Sequence, residues 1–105
     1  MEPVKRFLFW LLDGTRGAPT RMRLLALLSQ KPLNLHQLAI ASALDYSTVE
    51  HHIRLMEKHG IVDCMGEGYG RLYFVSEIPY VQQFVAQKLK GDTDENKGKP
   101  KGRQA

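Results

Sequence analysis

The sequence predicts an α+β domain that is mostly helical. Three observations lead there. Apolar residues recur at helical spacing up to His59, the period becomes strand-like after Gly60, and helical spacing returns after Pro79. The order is helices, then a two-stranded hairpin, then a closing helix. The chain has 105 residues, enough for one such domain and too few for two.

A first helix is expected over residues 3–12. Pro3 suits a first turn, and Phe7, Leu8, Leu11 and Leu12 form a wide apolar stripe that Asp13-Gly14 ends. Gly17-Ala18-Pro19 marks a connection. A second helix opens at Pro19 or Thr20 and reaches about Gln30, where Lys31-Pro32 stops it. Met22, Leu24, Leu25, Leu27 and Leu28 cover more than half of its surface, which places it at the centre of the core.

Asn34 and Gln37 form a capping-box pattern for a short third helix over 35–43. Leu44-Asp45 reads as a tight turn. Asp45 caps a fourth helix from Tyr46 to His59, with Val49, Ile53 and Met56 at i, i+4 and i+7. Gly60 stands where a helix ends with positive φ.

Strands are expected over 61–65 and 71–75, joined by Gly66-Glu67-Gly68-Tyr69-Gly70. A last helix runs from Pro79 to about Lys90, with Val81, Phe84, Val85 and Leu89 on one side. These elements make a domain of residues 1–90. Residues 91–105 hold no apolar side chain before Ala105, so they are expected to be a disordered polar tail.

Composition narrows the function. A net charge of +4 leans towards anionic partners. A single cysteine, Cys64, excludes an intrachain disulfide and a four-cysteine zinc site, and it suits a reducing compartment. The apolar run from Phe7 to Leu12, behind Lys5 and Arg6, is too short for a signal-peptide core or a membrane span. A cytoplasmic protein with no membrane partner is expected.

The middle of the chain, Leu38 to Val62, carries the chemistry of a helix-turn-helix, and the hairpin behind it makes the fold a winged helix-turn-helix. Val49, Ile53 and Met56 anchor one side of the fourth helix, leaving Tyr46, Ser47, Thr48, Glu50, His51 and Arg54 for the others. A helix that reads DNA needs this division, because base contacts carry meaning only from a rigidly held helix. The major groove, about 12 Å wide, just admits one.

The segments Pro19–Leu28, Leu38-Ala39 and Ser47–Val62 resemble the ArsR-type winged-helix regulators. Gly-Thr-Arg-Gly at 14–17 and Gly-Tyr-Gly at 68–70 are most similar to the small archaeal members. The resemblance covers about residues 14–76 and implies a dimeric transcription factor. It implies that Tyr46, Ser47, Glu50 and His51 face bases, and that the wing lies along phosphate or the minor groove. Two departures stand out. Metal-sensing members carry a cysteine pair on the third helix, whereas this chain reads Leu35-His36-Gln37-Leu38-Ala39 there. Glu50 replaces the small hydroxyl residue of many relatives; it can accept from a cytosine amino group but repels phosphate.

Each candidate has a plainer reading. Ser47 and Thr48 can serve the free amides of the first helical turn instead of DNA. His52 is either packed beside Ile53 or set against a phosphate. Arg71, just past Gly70, can enter a narrow minor groove; otherwise the wing only covers the core. Tyr69 either bonds a phosphate or packs. Arg16, Arg21 and Arg23 near the second helix are either phosphate contacts or solvated charges.

No metal site and no cofactor are expected, since His51 and His52 point about 100° apart and the remaining histidines and Cys64 lack ligand spacing. No nucleophile–base cluster is evident, so an enzyme is not expected. The end helices, with Phe7, Trp10, Leu11, Val81, Phe84 and Val85, hold more apolar surface than so small a core needs. A homodimer built from them would place two recognition helices on half-sites about 34 Å apart; the alternative is that both helices pack only on their own domain. The expected function is sequence-specific binding of double-stranded DNA by a homodimeric regulator. The rival is a winged-helix protein–protein interaction module with little DNA binding.

Overall fold

A computed structural model of the chain describes Leu8 and residues 10–98, with side chains described as far as Lys90. The start of the expected first helix, Phe7 included, and residues 99–105 of the expected tail lie outside the described residues.

The elements are α1 (Trp10–Gly14), α2 (Ala18–Leu28), α3 (Leu35–Ser42), α4 (Tyr46–Lys58), β1 (Val62–Met65), β2 (Leu72–Val75) and α5 (Pro79–Gly98). The sequence order of helices, hairpin and closing helix is the observed one. α1 is a π-helical turn, and Asp13-Gly14 belong to it rather than ending the helix before it. The wide turn carries Asp13 to Lys88 of α5, whose Nζ lies 3.0 Å from the carboxylate.

Local capping follows the sequence closely. Asn34 Oδ1 accepts from the Gln37 amide at 2.8 Å, and Gln37 Oε1 accepts from the Asn34 amide at 2.9 Å, closing the capping box of α3. Asp45 caps α4, and Gly60 follows that helix with φ +78°. The turn between α3 and α4 pivots one residue earlier than expected: Ala43 takes the left-handed conformation at φ +62°. A residue with a Cβ is strained there by about 1–2 kcal/mol. The turn is held by the Ser42 hydroxyl, which accepts from the Leu44 amide at 3.3 Å.

The core gathers on α2. Leu24 and Leu25 meet Leu38 of α3, Val49, Ile53 and Met56 of α4, and Ile61, all without exposed surface. Burying each such aliphatic side chain contributes about 1.5–3 kcal/mol. The strands pair antiparallel with Val62 opposite Val75 and Met65 opposite Leu72. Tyr73 and Val75 face the core. A third extended piece joins this sheet at one residue: Leu33 donates to the Tyr73 carbonyl at 3.1 Å, and its own carbonyl accepts from the Tyr73 amide at 2.8 Å. The sheet thereby ties the wing to the segment entering α3.

Val81 and Val85 seat α5 on the core. Its backbone stays helical to Gly98, beyond the Lys90 boundary that composition set. The apolar stripe ends there, but after Pro79 the next proline is Pro100, so no strong helix breaker intervenes. Among the described residues no helix is long and apolar enough to cross a membrane.

Candidate nucleic-acid interface

At 100° per residue, α4 divides into four sides. Val49, Ile53 and Met56 form the back, fully buried against the core. Ser47, His51, Arg54 and Lys58 follow one another at i, i+4, i+7 and i+11 on the opposite side, all exposed. Tyr46 and Glu50 lie on the flank facing the wing. Thr48 and His52 lie on the other flank and are half-buried. Lys58 was not among the sequence candidates, although its spacing four residues past Arg54 marks it.

The front of α4 is organised by Asp45. Its carboxylate accepts from the Ser47 hydroxyl at 2.6 Å, the Thr48 hydroxyl at 2.7 Å and the Thr48 amide at 3.2 Å. These hydrogen bonds, Ser47 first, lower its pKa to about 2. The plainer reading of Ser47 and Thr48 is therefore half right: both stabilise the first turn, but through the capping carboxylate rather than by accepting amides themselves. Their hydroxyl protons are committed, and each oxygen keeps lone pairs with which to accept.

Glu50 and Arg54 neutralise each other. Arg54 Nε and Nη2 reach Glu50 Oε2 at 3.1 and 3.0 Å, and this bond raises the arginine pKa further. His51 is exposed and meets the His52 ring edge-on at 5.2 Å.

In the wing, Gly66 and Gly68 take positive φ and a short 3-10 turn spans Gly68–Gly70. Tyr69 is 92% exposed, which rules out the packed reading of its ring. Arg71 is set lower than Tyr69. It is half-buried at the root of the wing, and its Nε is buried without a hydrogen-bond partner. It lines a groove of about 300 Å³ between the wing and α4, with Tyr46, Glu50, Arg54, Tyr69 and Tyr73. Tyr69 stands free on the wing, whereas Arg71 immediately precedes the paired strand.

Two arginines offered to phosphate by the sequence are used inside the fold. Arg21 is 5% exposed. Its guanidinium donates to the Leu11 carbonyl at 2.9 Å, to His52 Nδ1 at 3.1 Å and to the Thr15 hydroxyl. It is neither a surface contact nor a solvated charge. Arg23 is exposed, yet it donates to the Ser42 carbonyl and so braces the turn before α4 from α2. Among the described residues no group of three histidine, cysteine or acidic side chains could hold a metal ion.

The expected dimerisation residues separate into two groups. Leu11, Val81 and Val85 are at most 3% exposed and belong to the protomer's own core, because the apolar stripe they form faces α2. Phe84 is half-buried against that core. Trp10, at 52% exposed, remains at the surface, and Ile78 and Tyr80 of the C-terminal part are exposed as well.

Residues 18–63 match the family described as bacterial regulatory protein, arsR family. No curated protein matches the chain in sequence. Several solved structures share the fold. A predicted DNA-binding transcriptional regulator from E. coli superposes with a TM-score of 0.69 at 21% identity, covering 82% of this chain and 86% of that one. The homodimeric winged helix-turn-helix DNA-binding domain from Mycobacterium bovis, a possible ArsR-family transcriptional regulator, gives 0.67 at 16% identity over 90% and 89%. HlyU from Vibrio cholerae gives 0.67 at 21% identity over 86% and 96%. Residues 18–63 thus match the arsR-family model, and the chain shares its fold with these solved structures, a winged helix-turn-helix domain among them.

Proposed function

We propose that the protein is a homodimeric regulator that binds double-stranded DNA with sequence preference, through the outward stripe Ser47, His51, Arg54 and Lys58. One observation carries this reading: the stripe projects from a helix whose back residues, Val49, Ile53 and Met56, have no exposed surface. A helix fixed in that way offers its outer groups in a constant geometry, which base reading requires. Lys58 and Arg54 would meet phosphate, while Ser47 and His51 near the front would meet base edges. With its proton held by Asp45, the Ser47 hydroxyl would act as an acceptor, suiting the amino groups of adenine or cytosine.

In the wing, Tyr69 would reach the backbone and Arg71 would line the groove between helix and wing. Trp10 and Tyr80 support pairing of two copies through the end helices, as the homodimeric state named for the Mycobacterium bovis domain also does. The protein would work in the cytoplasm, without a cofactor and without catalysing a reaction.

A protein-docking role is the second reading. Ile40 on α3 is 69% exposed and borders a groove with Leu27 and Leu33. Mobility shifts with random duplex at several salt concentrations, followed by selection from a random library, separate the two. Salt-dependent binding and an enriched site support the regulator. No shift at low salt would leave the docking role.

A further inference from the structure

The Gly-Thr-Arg-Gly segment at 14–17 has no place in the outward stripe, yet it meets α4 on its flank at His52. Thr15 accepts from Arg21, and Arg21 Nη1 lies 3.1 Å from His52 Nδ1 on α4. Gly17 supplies the room. A Cβ there would stand 2.7 Å from Arg21 Nη1 and 3.0 Å from His52 Cε1. Its φ of −81° is open to any residue, so the glycine is needed for space alone. The Leu11 carbonyl takes the third guanidinium bond, at 2.9 Å. One buried arginine thus joins α1, the α1–α2 connection, α2 and α4.

An arginine only donates, so His52 Nδ1 must accept and the ring proton must sit on Nε2. A second proton would remove that acceptor and set an imidazolium against the guanidinium. We propose that the Arg21–His52 contact positions α4 for DNA only while His52 is neutral, making His52 a proton-sensitive positioning residue. This rests on the DNA-binding reading for its consequence, though not for the contact itself.

The groups around His52 act in one direction. Burial is the largest influence, followed by Arg21 from α2 and His51 from its own helix, and all three hold its pKa below the usual 6.5. Thr15 and Gly17 of the connection carry no charge. Asp13 of α1 is paired with Lys88, and Arg16 is exposed. Above the ordinary value the ring is neutral whether α4 is seated or released. As pH falls below it, only the released state takes up the proton, and the seated state loses stability until its own lowered pKa is passed.

The test uses the full chain in two arms. In the first, without DNA, side-chain nitrogen shifts and amide exchange are followed by NMR from pH 7.5 to 5. The expected result is His52 protonated on Nε2 alone at pH 7.5, titrating below 6.5, with α4 amides losing protection relative to their intrinsic exchange rates as it does so. Titration of His52 at or above 6.5, or α4 exchange indifferent to it, overturns the proposal. In the second arm, wild type and His52→Asn are titrated with the duplex enriched from a random library. Asparagine keeps an acceptor near the Nδ1 position but cannot be protonated. The ratio of variant to wild-type affinity should rise steadily as pH is lowered from 7.5 to 5.5, because only the wild type carries a group whose seated form resists the proton. Parallel curves would overturn the proposal. If neither protein bound any duplex at pH 7.5, the DNA-binding reading would fall, and the first arm alone would decide the contact.

Discussion

Asp45 and Thr48 grip each other twice at the start of α4, hydroxyl to Oδ1 at 2.7 Å and amide to Oδ2 at 3.2 Å. Ser47 adds a third bond at 2.6 Å, and the carboxylate pKa falls from 3.8 to about 2. A depressed acid stabilises the fold fully above its unfolded value and loses that contribution as pH drops through its folded one. Asp45→Asn is therefore expected to melt lower than wild type at pH 7. The gap should close between pH 3.8 and about 2, read by circular dichroism melts. A gap independent of pH would show that the charge does not matter at this cap.

Gly17→Ala should destabilise without strain in the backbone. The new methyl would stand 2.7 Å from a guanidinium that is tied to Leu11 and Thr15 and so cannot swing aside freely. Overpacking of this kind costs about 1–3 kcal/mol. Urea unfolding should show a lower midpoint with an unchanged slope.

Glu50→Gln should tighten binding to duplex of any sequence. Removing the carboxylate ends both its repulsion of phosphate and its hold on Arg54 at 3.0 Å. If the freed arginine takes one more phosphate, the slope of log affinity against log salt steepens by about 0.9. Fluorescence anisotropy at several salt concentrations measures this. Weaker binding instead would mean that Glu50 itself accepts from a base.

Helix positions, the wing and the caps at Asn34, Asp45 and Gly60 were legible because their signals are local: apolar spacing and single residues with strong conformational preferences. The commitments of individual polar side chains were not. Arg21 and His52 are 31 residues apart, and no periodicity reveals that the one is buried against the other. Gly17 was a clue: it lies in the connection as read, and it also leaves space for a ring and a guanidinium. Arg23 looked like a phosphate contact because its reach to the Ser42 carbonyl depends on how α2 and α3 cross. Leu33 gave no strand signal, since one residue between Pro32 and Asn34 has no period. Leu11, Val81 and Val85 were assigned to a partner because apolar spacing shows that a face is covered and not what covers it.

The outward stripe of α4 is tested most directly by the specificity ratio of His51→Ala, measured as the affinity for a selected duplex over that for random duplex at fixed salt. A well-formed base contact contributes about 1–3 kcal/mol of discrimination, so the ratio should fall by about fivefold or more while random-duplex affinity changes little. A ratio equal to that of wild type would place base reading on some other surface of the protein.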